Sequence, residues 1–367
     1  MILNSEQESF RASVGSFLAA KLPISALRTL RGKPVATAYD RDLWGQLAML
    51  GVSSITVPAA SGGAEFGWLA LGAVAQEIGR RLSPTPLLSS VVLAQGALIQ
   101  CASPAQVARY LPALLNGDEV WAVAFEEEAH FSPDCLQTAM TPLGLCGSKG
   151  MVLDGAAADR LLVTALDGSG QWGLLLVDPD TPGITLRASR LMDGRQYVAF
   201  EFSEVSELAC EWVAGPASEG AWARVLNQAM AVLAAEMLGS ARELCERTIE
   251  YLKEREQFDV KIGSFQALQH RAAHMYSELE LSQAAVDAAL IAFDTQGSDQ
   301  CAMASAAKAL ANECFQLISD EAVQMHGGMG VTDALDIGLF LKRSRVCNQL
   351  LGDTHWHHLR YADRSGF

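Results

Sequence analysis

Arg343-Ser-Arg-Val-Cys-Asn-Gln-Leu-Leu-Gly-Asp-Thr-His-Trp356 follows a helical run and passes through a Leu-Leu-Gly-Asp turn, in which Asp353 suits a turn or cap position. Upstream lie Arg255-Glu-Gln-Phe258-Asp and Gln324-Met-His-Gly-Gly-Met-Gly330. All three stretches border long runs with helical apolar spacing, over 219–254, 264–294, 299–326 and 334–347. Helices of that length predict an antiparallel bundle, the usual place for subunit contacts.

Working outward from the bundle, the pattern changes. Between Glu119 and Val213 the apolar segments are short: Val120–Phe125, Arg160–Ala165, Gly173–Val177 and Val198–Phe202. Turns such as Asp167-Gly168, Pro179–Gly183 and Asp193-Gly194 separate them, which predicts an antiparallel β-domain of sandwich or barrel type. Before it, Asn4-Ser5-Glu6 can cap a helix through Phe10, Val14, Phe17 and Leu18. Periodic runs over 40–50, 66–82, 87–99 and 104–115 follow, broken by Pro58, Gly62-Gly63, Pro84, Pro86 and Pro104. The expected organisation is mainly α with a middle β-domain: helices over 1–118, strands over 119–213, and a four-helix bundle over 214–367 that carries cofactor and oligomer contacts.

Bulk properties narrow the function. Half of the 367 residues are hydrophobic, enough for two or three domains with a sizeable core. A net charge of −15 with no basic stripe argues against nucleic-acid binding. The eight cysteines are scattered with no CxxC pair, as in a protein with reduced thiols. No basic n-region opens the chain, and no apolar run reaches the eighteen or so residues that span a bilayer. A cytoplasmic protein without membrane contact is expected.

The three stretches, in order and at this spacing, resemble the C-terminal third of the acyl-CoA dehydrogenase family, and the α, β, α-bundle order matches along nearly the whole chain. The resemblance implies an acyl-CoA substrate, FAD and an electron-transfer flavoprotein as acceptor. In that reaction a carboxylate takes the α-proton of a CoA thioester while a hydride passes to the flavin. It also implies that a neighbouring subunit holds the nucleotide end of each FAD. Arg255, Gln257, Phe258 and Gln266 match the segment lent to the neighbour, where an arginine fork can neutralise pyrophosphate oxygens. Gln324, His326, Gly327 and Gly328 match a helix-end turn whose glycines admit the pyrophosphate to backbone amides.

Other family positions are changed. Phe125-Glu126-Glu127-Glu128 stands where the family offers Thr-Glu-Pro, so a phenyl ring replaces a hydroxyl and the extra carboxylates oppose a phosphate or a reduced flavin. Lys149-Gly-Met151-Val-Leu153 stands for Lys-x-Trp-x-Thr, which loses an aromatic wall and a second hydroxyl. Neither of the family's base positions holds a carboxylate: one falls on Leu351, and the other, 26 residues before Arg255, on Ala229. Glu236, two turns beyond Ala229, is the fallback base, with Asp353 behind it. The plain alternatives are a paired carboxylate in an Ala-rich core helix and a cap.

His270 and His274 at i, i+4 read as a helix-surface pair rather than metal ligands. His355-Trp-His-His358 reads as an interface or exposed helix, and Cys347 as a core thiol.

Three functions stay open on these residues. One is the non-catalytic subunit of an α2β2 acyl-CoA dehydrogenase for a bulky substrate such as a steroid side chain, with a catalytic dehydrogenase as partner. The others are a homomeric dehydrogenase with a displaced base, and a flavin-free scaffold for acyl-CoA or a partner.

Overall fold

In the computed structural model, residues 3–297 and 299–366 are described. The chain runs from an N-terminal helical region through a middle β-sheet region to C-terminal helices. Helix α1 (Ser5–Lys21) opens on a capping box in which the Asn4 side chain accepts from the Gln7 amide and the Gln7 side chain returns to the Asn4 amide. Helices α2 (Ile24–Arg31) and α3 (Arg41–Met49) follow, then α4 (Gly67–Arg80). The first amides of α4 have no partner within their own helix. Instead Trp68 N and Leu69 N donate to the Asp294 carboxylate at 2.6 and 3.0 Å.

The run expected as one helix over 87–99 is two elements. Leu87–Ala94 forms a fully buried π-helical segment that continues into α5 (Gln95–Cys101). Helix α6 (Pro104–Asn116) has a second capping box, from Ser103 and Gln106, and Gly117 closes it at φ +74°.

The middle region is one sheet of β1 (Trp121–Ala124), β2 (Ala139–Thr141), β3 (Gly144–Leu153), β4 (Arg160–Leu166), β5 (Trp172–Val177), β6 (Ile184–Arg190), β7 (Gln196–Val205) and β8 (Cys210–Ala214). The order is β6-β7-β3-β2-β4-β5-β8, with β1 also on β4. It is not wholly antiparallel as expected, because β1 and β2 both pair parallel to β4. A long excursion between β1 and β2, with no tight hairpin to reverse the chain, permits this. Leu145, Leu161, Val163, Leu175, Phe200 and Phe202 form the apolar core of the sheet.

Helix α7 (Glu219–Glu254) is followed by a small hairpin, β9 (Glu256–Gln257) and β10 (Val260–Lys261). Then come α8 (Gln266–Asp294), α9 (Gln300–His326), α10 (Ile337–Gln349) and α11 (Thr354–Ser365). Helix α11 is a fifth helix where four were expected. Asp353 caps it by accepting from Trp356 N at 2.8 Å.

Packing groups the chain into two compact units. Met1–Leu27, Trp68–Ser83 and Met230–Phe367 form one; Arg28–Gly67 and Pro84–Ala229 form the other. Thus α1 and α4 belong with the C-terminal helices. The reason for α4 is steric. A Cβ on Gly79 would lie 1.9 Å from Glu236 O, and one on Gly239 would lie 2.1 Å from Gln76 O, so α4 and α7 meet backbone to backbone. Ser240 Oγ donates to Gly79 O across that contact at 2.9 Å.

Among the described residues no helix is long and apolar enough to cross a membrane. All eight cysteines are free thiols. Gly239→Ala should force α4 away from α7 and destabilise the protein by about 3 kcal/mol or more, the upper end of overpacking costs, as read from urea unfolding.

Candidate functional site

The residues expected to hold a nucleotide gather at one end of the helical unit. Arg255 directly follows α7, and its side chain is exposed with no partner among the described residues. It opens the β9–β10 hairpin, whose tip residues Phe258 and Asp259 have φ of 55° and 61°. Both central residues in the left-handed region make the turn whose twist suits a two-residue hairpin. Phe258 is 86 % exposed, and the Phe265 ring lies edge-on to it at 6.1 Å. Gln257 is exposed on the same hairpin, and Gln266 begins α8, also exposed.

The second cluster lies at the end of α9. Gln324 is exposed on its last turn, and Gly327 ends the helix at φ +59°, ψ −141°. A Cβ at Gly327 or Gly328 would meet nothing within 4 Å, so the turn is open on that side, while the Gly327 amide itself donates to Gln324 O. His326 joins the two clusters. Its ring stacks on Tyr251 at 4.2 Å and 22°, which ties the end of α9 to the last turn of α7. Its Nδ1 lies 2.8 Å from Ala322 O, and burial pushes its pKa down, so the ring stays neutral. These residues fit a dinucleotide: a free guanidinium, a bare ring and an open glycine turn.

The positions expected near a flavin ring lie in the sheet unit and are differently disposed. Phe125 is buried, edge-on to Phe131 at 6.4 Å and to Trp222 at 5.6 Å. The carboxylates after it do not act as one acidic run, as the sequence reading supposed. Glu127 is paired with Lys149 at 2.7 Å and accepts from Gln137 N and Thr138 N. Burial raises the pKa of Glu127, but hydrogen bonds from Lys149 and Thr138 outweigh it and hold the carboxyl below its usual range. Burial pushes Lys149 down to about 8, still charged at neutral pH, and its ammonium also donates to Thr164 Oγ1 at 2.9 Å. Glu128 is exposed.

Glu126 is buried, and among the described residues its carboxyl has no partner; burial pushes its pKa up to about 7. Its backbone oxygen accepts from Gly150 N at 2.8 Å, where β3 leaves register with β7 between Lys149 and Val152. Met151, at φ 34°, sits in that bulge. At the two positions expected to offer a hydroxyl and an aromatic wall, the chain carries Phe125 and Met151.

The two positions where the resemblance expects a base are apolar and closed. Ala229 is fully buried, and Leu351 is 2 % exposed at φ 56°. Glu236, the fallback, is buried with its carboxylate on Arg343 Nη2 at 2.8 Å, the paired arrangement of a core helix. Asp353 is engaged as the α11 cap.

His270 and His274 lie exposed on α8, the latter 3.5 Å from Glu278. Among the described residues no group of three or more His, Cys, Asp or Glu could hold a metal ion. The tract His355–His358 is not simply exposed: His357 is completely buried, with Nε2 3.0 Å from Leu351 O. Burial, with Lys308 and Arg360 adding repulsion, pushes it down to about 2. The sequence reading passed over Lys308 and the Glu127–Lys149 pair. A lysine inside Ala306-Ala-Lys-Ala-Leu-Ala was the available signal for the first.

Residues 4–118 match the model of the acyl-CoA dehydrogenase N-terminal domain, and residues 221–365 that of the acyl-CoA dehydrogenase C-terminal domain. Acyl-CoA dehydrogenase IpdE2 of Mycobacterium tuberculosis is 30% identical over 348 residues, covering 94% of this chain and 93% of that protein. The solved Tcur3481-Tcur3483 steroid ACAD variant superimposes with TM-score 0.88 at 28% identity, covering 98% of each chain. The ChsE4-ChsE5 complex of M. tuberculosis does so with TM-score 0.88 at 26% identity, covering 100% of this chain and 98% of that one.

The raised Glu126 pKa has a sign that can be tested. A carboxyl whose pKa is about 4.5 unfolded and about 7 folded holds its proton more tightly in the fold. Stability from this group is therefore complete below pH 4.5 and is lost as pH rises through 7. Glu126→Gln should remove that slope, gaining on the order of 3 kcal/mol relative to wild type between pH 4.5 and 8. Melting curves at the two pH values measure it.

Proposed function

The chain belongs to the acyl-CoA dehydrogenase family, and from that premise we propose that it is the non-catalytic subunit of a heteromeric, FAD-dependent acyl-CoA dehydrogenase, an α2β2 assembly. FAD supplies the hydride acceptor in such an enzyme. This chain lends Arg255, Phe258, Gln324 and the Gly327-Gly328 turn to the nucleotide end of FAD, and the partner subunit supplies the ring contacts and the base. An electron-transfer flavoprotein is the proposed acceptor.

One asymmetry carries the reading. What the chain would lend is exposed, whereas what its own site would need is absent or tied up. Arg255 has no partner among the described residues and Phe258 is bare. Phe125 is packed against two rings, Glu127 is held by Lys149, and Glu236 is held by Arg343. In a homo-oligomer every site would share the same lack of a base. With a competent partner, each half makes good what the other lacks.

The solved relatives support a two-chain assembly, since two of them pair differently named chains and one of those is called a steroid ACAD. A bulky acyl-CoA such as a steroid side-chain thioester is the substrate class we propose. Removing a carboxylate from position 351 suits a site surrendered to a partner's larger acyl group.

Purified alone, the chain should retain no FAD, and with its partner it should show about one FAD per two chains. Full flavin occupancy in a pure homo-oligomer would overturn the reading in favour of a displaced base. A complex that stays colourless with every partner would favour a flavin-free scaffold. In the active complex, Arg255→Ala should weaken FAD binding by roughly 10- to 100-fold, the loss expected for a charge-assisted hydrogen bond to phosphate. Glu236→Gln should lower stability while leaving flavin bleaching by substrate nearly unchanged.

A further inference from the structure

Lys308 is completely buried in α9, with no carboxylate touching its ammonium. Its three N–H groups meet three neutral acceptors: Asn312 Oδ1 at 2.7 Å, Cys347 O at 2.9 Å and Gly352 O at 3.2 Å. The nearest charges are Asp353, engaged by the Trp356 amide, and Arg343, engaged by Glu236. Burial drives Lys308 down to about 7, so the fold bears a real cost to keep it there.

The acceptors show what that cost secures. Cys347 O and Gly352 O stand on either side of Leu351, and Leu351 O itself is held by His357 Nε2 at 3.0 Å. Two side chains from two helices thus pin three carbonyls of one turn. The turn needs pinning: Leu351 and Gly352 have φ of 56° and 103°, and the first is disfavoured for a branched side chain. A Cβ at Gly352 would lie 2.7 Å from the Trp356 ring and 2.9 Å from His357 Nε2.

We infer that Lys308 and His357 are positioning residues that hold the backbone at position 351 in a seat independent of the side chain it carries. None of the pinning bonds involves the Leu351 side chain. Resting on the silent-subunit reading, this means that the chain has lost the base by one side chain and has kept the frame that would present it.

Hydrogen exchange of the Leu350, Trp356 and His357 amides, which flank the turn, tests this in the full chain. Leu351→Gln and Leu351→Glu should leave these amides within about threefold of wild type. Lys308→Met should accelerate them about tenfold or more, while amides in the middle of α8 change little. If Lys308→Met fails to fold, His357→Leu, which deletes only the donor to Leu351 O, is read in the same way.

Equal acceleration in α8 and the turn would make Lys308 a general core residue and overturn the inference. So would a loosened turn in Leu351→Gln, because the seat would then depend on leucine. FAD retained by the chain alone would overturn the silent-subunit reading without altering the exchange pattern.

Discussion

Helices α4 and α7 touch through glycine, and much of the helical unit follows from that contact. Gly79 and Gly239 leave no room for a side chain between the two backbones, so the helices pack closer than side chains would permit. Gly72 does the same against Leu290 of α8, where a Cβ would lie 2.2 Å from a methyl carbon. The contact sets Glu236 beside α4, since its carbonyl oxygen is the atom nearest Gly79. A carboxylate placed there is out of reach of water. Arg343 pairs with it at 2.8 Å.

Buried charge is managed in three ways. Glu127–Lys149 and Glu236–Arg343 are matched pairs. Lys308 has no counter-ion and is satisfied by neutral acceptors. Glu126 has neither, and its raised pKa records the deficit. The surface around Arg255 and the Gly327 turn is the reverse case, with donors and an aromatic ring left in solvent. A subunit that completes a neighbour's cofactor site while leaving its own unfinished would have this distribution.

Legibility in the sequence followed apolar contrast. Helices over 219–254, 264–294 and 299–326 were read within a few residues because their core faces repeat at helical spacing. Strands β1, β4, β5 and β7 stood out as apolar runs. Strand β3 did not, because Gly144, Gly147 and Gly150 dilute it, and neither did β6, whose Thr185, Arg187 and Ser189 face outward on an edge. Helix α11 was read only at His355–His358, as an interface or exposed helix, because His, Arg and Asp fill it, although its buried His357 behaves as a core residue. That neither Leu351 nor Ala229 carries a carboxylate needed only the residue names. That Glu236 is committed to Arg343, and Glu127 to Lys149, could not be read, because the partners lie 107 and 22 residues away.

Residue order alone carried the family resemblance, the α-β-α succession of segments and the lack of a carboxylate at 351 and 229, since each depends on residue identity or local periodicity. Only the tertiary structure decided which charges are paired, which acid is stranded and how the turn at 351 is held. Those outcomes depend on solvent exclusion and on contacts between distant segments, and both arise only when the chain is packed.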